Sequence, residues 1–137
     1  MITDYTKRTK FYQFFNANPT GKEIGDCSIR AVAVALNVSW LEAFDLQTAK
    51  ARILYDEMSE PEVVGEVLKE HGFEEKKVSN RKGTKRPTLV TLIKENPNCI
   101  IVGQIANHFA AVRDGKVRDL WNSSERSLYR YWIKKEI

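Results

Sequence analysis

The dipeptide Asp114-Gly115 constrains this chain more than any other feature. It separates two runs rich in strand-forming residues, His-Phe-Ala-Ala-Val-Arg over 108–113 and Lys-Val-Arg-Asp-Leu-Trp over 116–121. Asp-Gly between such runs predicts a two-residue β-hairpin, because both turn positions need a positive φ that Asp and Gly tolerate. A turn of fixed length also fixes the register. Arg113 then faces Lys116, Ala110 faces Asp119 and His108 faces Trp121. His108 and Asp119 fall on one face as diagonal neighbours, within reach of polar side chains. Asn122 falls on the opposite face.

The rest of the pattern supplies partners for that hairpin. Cys99–Ile105 reads Cys-Ile-Ile-Val-Gly-Gln-Ile, a β-branched run expected to form a central strand. Residues 128–133 alternate Tyr129, Tyr131 and Ile133 with Leu128, Arg130 and Trp132, and predict a fourth strand. Upstream the periodicity is helical. Cys27–Leu36 is apolar almost all round and rich in alanine, which predicts a buried helix with Asp26 as its N-cap. Ser39 and Glu42 have capping-box spacing for a helix over 40–56. Ser59 caps a third helix with Pro61 in its first turn, Glu62 at the box position and a stop at Gly72. Thr88 caps a short helix carrying Leu89, Val90, Leu92 and Ile93. The aromatic segment 11–15 is a short strand or a packed arm. Helices first and an antiparallel sheet afterwards predict an α+β fold. At 137 residues it forms a single domain over 1–137.

Composition excludes several functional classes. Hydrophobic residues at 42% and charged residues at 29% are values of a folded globular chain rather than a disordered one. No apolar run is long enough to cross a membrane, and residues 1–10 are too polar for a secretory signal or an anchor. Two cysteines, Cys27 and Cys99, do not make a disulfide framework, so a reducing, cytoplasmic setting is expected. Cys27, His71, Cys99 and His108 lack the paired spacing of a zinc site, so no metal is expected. No phosphate-binding glycine loop is present, and no cofactor is expected. The net charge of +4 comes in part from Lys76, Lys77, Arg81, Lys82, Lys85 and Arg86. No aromatic residue interleaves them as a base-stacking platform would require. They read as a solvated loop, and no nucleic-acid partner is expected.

Chemistry enters at Cys27. A lone cysteine is ordinarily a small buried hydrophobe, and Cys99, which begins the central strand, fits that role. Cys27 instead opens a helix, where free backbone N–H groups and the helix dipole favour a thiolate. With His108 as base and acid and Asp119 to orient it, the parts of a thiol acyl-transfer site are present. The N–H of Cys27 offers one oxyanion donor, and a side-chain amide from the preceding loop would offer a second. His71, at the end of the third predicted helix, is placed for the helix dipole rather than for catalysis. Trp121 faces the same side as His108 and would shield the His–Asp pair.

Gly25-Asp26-Cys27-Ser28-Ile29-Arg30-Ala31, then His108, then Asp114-Gly115-Lys116-Val117-Arg118-Asp119-Leu120-Trp121-Asn122, resembles the small papain-like cysteine peptidases. The likeness is closest to uncharacterised phage and bacterial members, and spans residues 16–133 in order. It implies a papain-like fold with the Cys27 helix packed on a sheet carrying His108 and Asp119. It implies a Cys27–His108–Asp119 triad acting on a peptide or isopeptide bond, with a peptide or protein as substrate. The family's oxyanion amide comes from a Gln several residues before the Cys. This chain has Gly21 there, so Asn16 or Asn18 would serve, with Asn122 as an alternative orienter for His108. The alternative function is an inactive papain-like accessory protein that binds a host or phage protein.

Overall fold

The computed structural model describes residues 8–79 and 81–136. The reading of residues 1–10 as no leader or anchor therefore falls largely outside the described residues. Six strands form one sheet: β1 (Tyr12–Phe14), β2 (Glu74–Lys77), β3 (Cys99–Ile105), β4 (His108–Arg113), β5 (Lys116–Asp119) and β6 (Arg130–Lys135). Four helices accompany it: α1 (Cys27–Leu36), α2 (Trp40–Leu54), α3 (Pro61–Glu70) and α4 (Leu89–Glu95). The spatial strand order is β1-β5-β4-β3-β6-β2. The fold is α+β with an open, mixed sheet.

The Asp114-Gly115 hairpin forms as its turn chemistry requires, with φ of 55° and 73° at its two residues. Ala111 pairs with Arg118, Val112 with Val117 and Arg113 with Lys116, in the expected register. Alternation along β3 and β4 then divides the core. Ile100, Val102, Phe109 and Ala111 pack with α1, α2 and α3 on one face. Ile101, Ile105, Ala110 and Val112 pack with α4, Tyr12 and Leu128 on the other. Helix α1 is buried on nearly every side and lies across β4, which brings its N-terminus to the end of the strand where His108 begins.

Several expectations are corrected. The sheet is not wholly antiparallel, because β1 joins its edge parallel to β5. Lys76 and Lys77 are not loop residues but belong to β2, an edge strand paired with β6. A strand made only of charged side chains, Glu-Glu-Lys-Lys, suits an edge that must not recruit another strand. The third strand of the hairpin unit stops at Asp119 rather than Trp121, and the next backbone N–H, that of Leu120, is taken by the Asp119 carboxylate instead of a strand partner. The last strand starts at Arg130. Leu128, expected within it, is instead buried against α4 and donates its N–H to Pro87. Helix α2 ends at Leu54 rather than at 56, closed by Tyr55 in the left-handed conformation. Glu60, not Ser59, occupies the N-cap of α3. Asp26 stands at the N-cap position of α1, but its carboxylate caps nothing.

Among the described residues no single helix is long and apolar enough to cross a membrane. One bent pair, α1 with α2, passes on length and composition but is broken by 109°. Both cysteines are free.

Candidate active site

Cys27 is the first residue of α1, half-buried where the helix meets β4. His108 is the first residue of β4 and is 9% exposed. Asp119 is the last residue of β5 and is 2% exposed. The diagonal relation imposed by the hairpin becomes a contact: His108 Nε2 lies 2.6 Å from Asp119 Oδ2. With Nε2 so engaged, Nδ1 is the ring nitrogen left for Cys27, which lines the same cavity as His108. Trp121 packs its ring against the imidazole, 4.8 Å between centroids, with the Arg126 guanidinium 5.5 Å from its ring, and remains 40% exposed.

Electrostatics favour a charged Cys27–His108 pair. Burial pushes the Cys27 thiol up, but hydrogen bonds from His108 and the Phe109 N–H, with the charges of His108 and Arg30, bring it below its ordinary value. Burial opposes charging of His108, but Asp119 and Cys27 outweigh it and raise its pKa to about 9. Burial likewise disfavours the Asp119 carboxylate. The His108 contact and charge, the Ser123 hydroxyl and the Leu120 N–H together hold it below the usual carboxylate range.

Asp119 is saturated with donors. Oδ2 accepts from Ser123 Oγ at 2.8 Å as well as from His108. Oδ1 accepts from Leu120 N–H at 2.7 Å and from Arg30 Nη1 at 3.0 Å. Arg30, itself 7% exposed, turns its Nε to Asp26 Oδ1 at 2.8 Å. The second oxygen of Asp26 accepts from Trp40 Nε1 at 2.8 Å and, more loosely, from Asn18 Nδ2 at 3.4 Å. Arg30 and Asp26 were missed by sequence reasoning. A signal was present, because Arg30 is the one charge in an otherwise apolar helix, and a buried guanidinium needs paired carboxylates.

The asparagines do not take up the oxyanion position. Asn16 Nδ2 donates to the Lys22 carbonyl, and its Oδ1 accepts from the Asn18 N–H. Asn18 uses its oxygen on Thr20 and its nitrogen on Asp26. Both side chains close local turns, as Asn does readily. The amides that share the cavity with Cys27 and His108 are Gln104 and Asn107. That cavity, about 310 Å³, is also lined by Gly25, Ser59, Pro61 and Phe109. Gln104 Oε1 accepts from Arg130 Nε at 3.0 Å, which fixes the amide and leaves its nitrogen as the remaining donor end. Asn122 spends its side-chain oxygen on Ser124 rather than on His108. His71 Nδ1 meets the Val67 carbonyl at 2.8 Å, at the end of α3.

Among the described residues, no group of three His, Cys, Asp or Glu side chains is placed to hold a metal ion. The basic stretch is partly committed: Lys76 pairs with Glu74, and Arg86 lies over the Tyr129 ring. Compared with known proteins, the chain matches no family model, no curated protein and no solved structure.

Proposed function

We propose that this protein is a cysteine peptidase or amide hydrolase of papain-like organisation, with Cys27 as nucleophile. The observation that carries the reading is His108 with Nε2 on Asp119 at 2.6 Å and Cys27 beside it in one cavity. The thiolate attacks the carbonyl of a peptide or isopeptide bond, and the imidazolium gives its proton to the departing amine. The resulting thioester is then opened by a water that His108 deprotonates, returning the thiol and releasing the acid. Transfer to an amine in place of water would use the same groups. The Cys27 N–H, free at the start of α1, and the Gln104 amide are the oxyanion donors in this scheme. Apart from the reacting pair, the cavity lining carries no charged side chain, which suits an extended neutral peptide tail. Two free cysteines fit a reducing compartment such as the cytoplasm.

The committed amides of Asn16 and Asn18 favour a second reading, an inactive relative that binds a host or phage protein. One experiment separates the two. Iodoacetamide alkylation is followed from pH 4 to 9 by peptide-resolved mass spectrometry, alongside hydrolysis of a mixed fluorogenic peptide pool. We expect Cys27 to react with a midpoint below that of an ordinary thiol, ~8.5, and Cys27→Ala to abolish peptide cleavage. An activated Cys27 without cleavage of any peptide supports the accessory protein. An ordinary Cys27 midpoint removes the hydrolase reading.

A further inference from the structure

We propose that Arg30 is a positioning residue, whose guanidinium clamps the N-terminus of the nucleophile's helix to the carboxylate that aims His108. The inference rests on the hydrolase reading for its functional meaning, but its geometry stands alone. Nε of Arg30 meets Asp26 Oδ1 at 2.8 Å, and Nη1 meets Asp119 Oδ1 at 3.0 Å. Asp26 is bonded through the chain to Cys27, Cys27 lines one cavity with His108, and His108 is hydrogen-bonded to Asp119. Of these five residues, Arg30 is the link between helix and carboxylate that does not react.

The chemistry of the link favours arginine. Two carboxylates on different elements are held by two nitrogens of one rigid plane, which a lysine ammonium on a flexible stem does not reproduce. The cost of burying the three charges is large, and such groups are often no more stable than apolar replacements. A purely structural helix-to-sheet contact here would be met more cheaply by leucine. What the ion triad adds is direction. It leaves Oδ2 of Asp119 facing His108, because Oδ1 is occupied by Arg30 and Leu120. The charged groups acting on Cys27 are His108 and Arg30, and those facing Arg30 are Asp26 and Asp119.

The test uses the full chain and two readouts that need no turnover. One is the downfield imidazole proton of the His108–Asp119 hydrogen bond, seen by NMR. The other is the Cys27 alkylation midpoint. Arg30→Gln is expected to lose the downfield proton and to raise the midpoint by about one pH unit, a roughly tenfold lower thiolate fraction below both midpoints. Arg30→Lys keeps the charge without the fork. It is expected to weaken the proton signal and leave the midpoint within about half a unit of the parent. Asp26→Asn frees the Nε end while keeping the guanidinium, and reads the same proton should either Arg30 variant fail to fold. A parental proton signal in cooperatively folded variants overturns the proposal. Failure of the hydrolase reading looks different: an ordinary Cys27 midpoint in the parent protein, with the proton still dependent on Arg30.

Discussion

At the scale of the residue, the two nitrogens of His108 have separate duties. Nε2 is held by a buried carboxylate and Nδ1 is left for the thiol, so the ring's orientation depends on Asp119. Asp119→Asn preserves shape but offers an amide where His108 needs a charged acceptor. We expect its kcat/KM on a cleaved peptide to fall by about 10³–10⁴-fold. The His108 pKa, followed by NMR, should drop from about 9 toward its ordinary 6.5. Stability should fall by about 3 kcal/mol in urea titration, because Arg30 loses a charged partner in a buried site. A variant with undiminished turnover would exclude Asp119 from the mechanism. Cys27, His108 and Asp119 were legible because helix start and hairpin register are local rules. Arg30 carried a signal as the one charge of its helix, but its partner Asp26 satisfied a simpler expectation as a cap. The asparagines misled for a related reason: an amide in a loop has many local partners, and only the folded chain shows which it takes.

At the scale of the element, the hairpin β4–β5 and the strand β3 were readable from turn chemistry and β-branched composition. The edges were not. Strand β2 contains only Glu and Lys, and its membership of the sheet comes from pairing with β6 rather than from its own pattern. Strand β1 is three residues long and pairs in parallel with a strand more than 100 positions away, a contact no local rule encodes. Strand β3 is also where packing is least forgiving. A Cβ at Gly103 would lie 2.5 Å from Leu128 Cδ2 and 3.0 Å from Leu89 Cδ2, both from fully buried side chains. Glycine here is required by close approach rather than by backbone conformation. Gly103→Ala should cost about 1–3 kcal/mol by overpacking, read as a lower urea midpoint with an unchanged denaturant slope. An unchanged midpoint would mean that Leu128 and Leu89 move aside freely, and that this face of β3 is looser than its burial implies.

At the scale of the whole molecule, the buried site ties folding to pH in a way set by opposite signs. A folded His108 keeps its proton to about pH 9, whereas the unfolded histidine loses it near 6.5. Between those values the native state binds more protons, so the His108 contribution is complete below about 6.5 and is lost as pH rises toward 9. Cys27 has the reverse sign. Its folded pKa lies below that of the unfolded thiol, so in its window the unfolded state binds more protons and stability rises with pH. In the parent protein the two tendencies oppose one another, and Cys27 offsets part of the loss that His108 imposes between pH 6.5 and 9. Cys27→Ser removes the thiol's share. His108 remains raised by Asp119, though to less than about 9, so this variant should lose stability steadily from about pH 6.5 upward. Below the carboxylate range both proteins should weaken together. Asp26 and Asp119 are held below their ordinary values, and their contribution is lost as pH falls through those depressed values. Urea midpoints measured from pH 3 to 9.5 at one temperature give both curves, and groups common to the two proteins cancel in their difference. Curves that stay parallel through pH 6.5–9 would show that Cys27 and His108 do not form a charged pair in the folded chain. The thiol would then have to be activated by substrate rather than stand ready before it arrives.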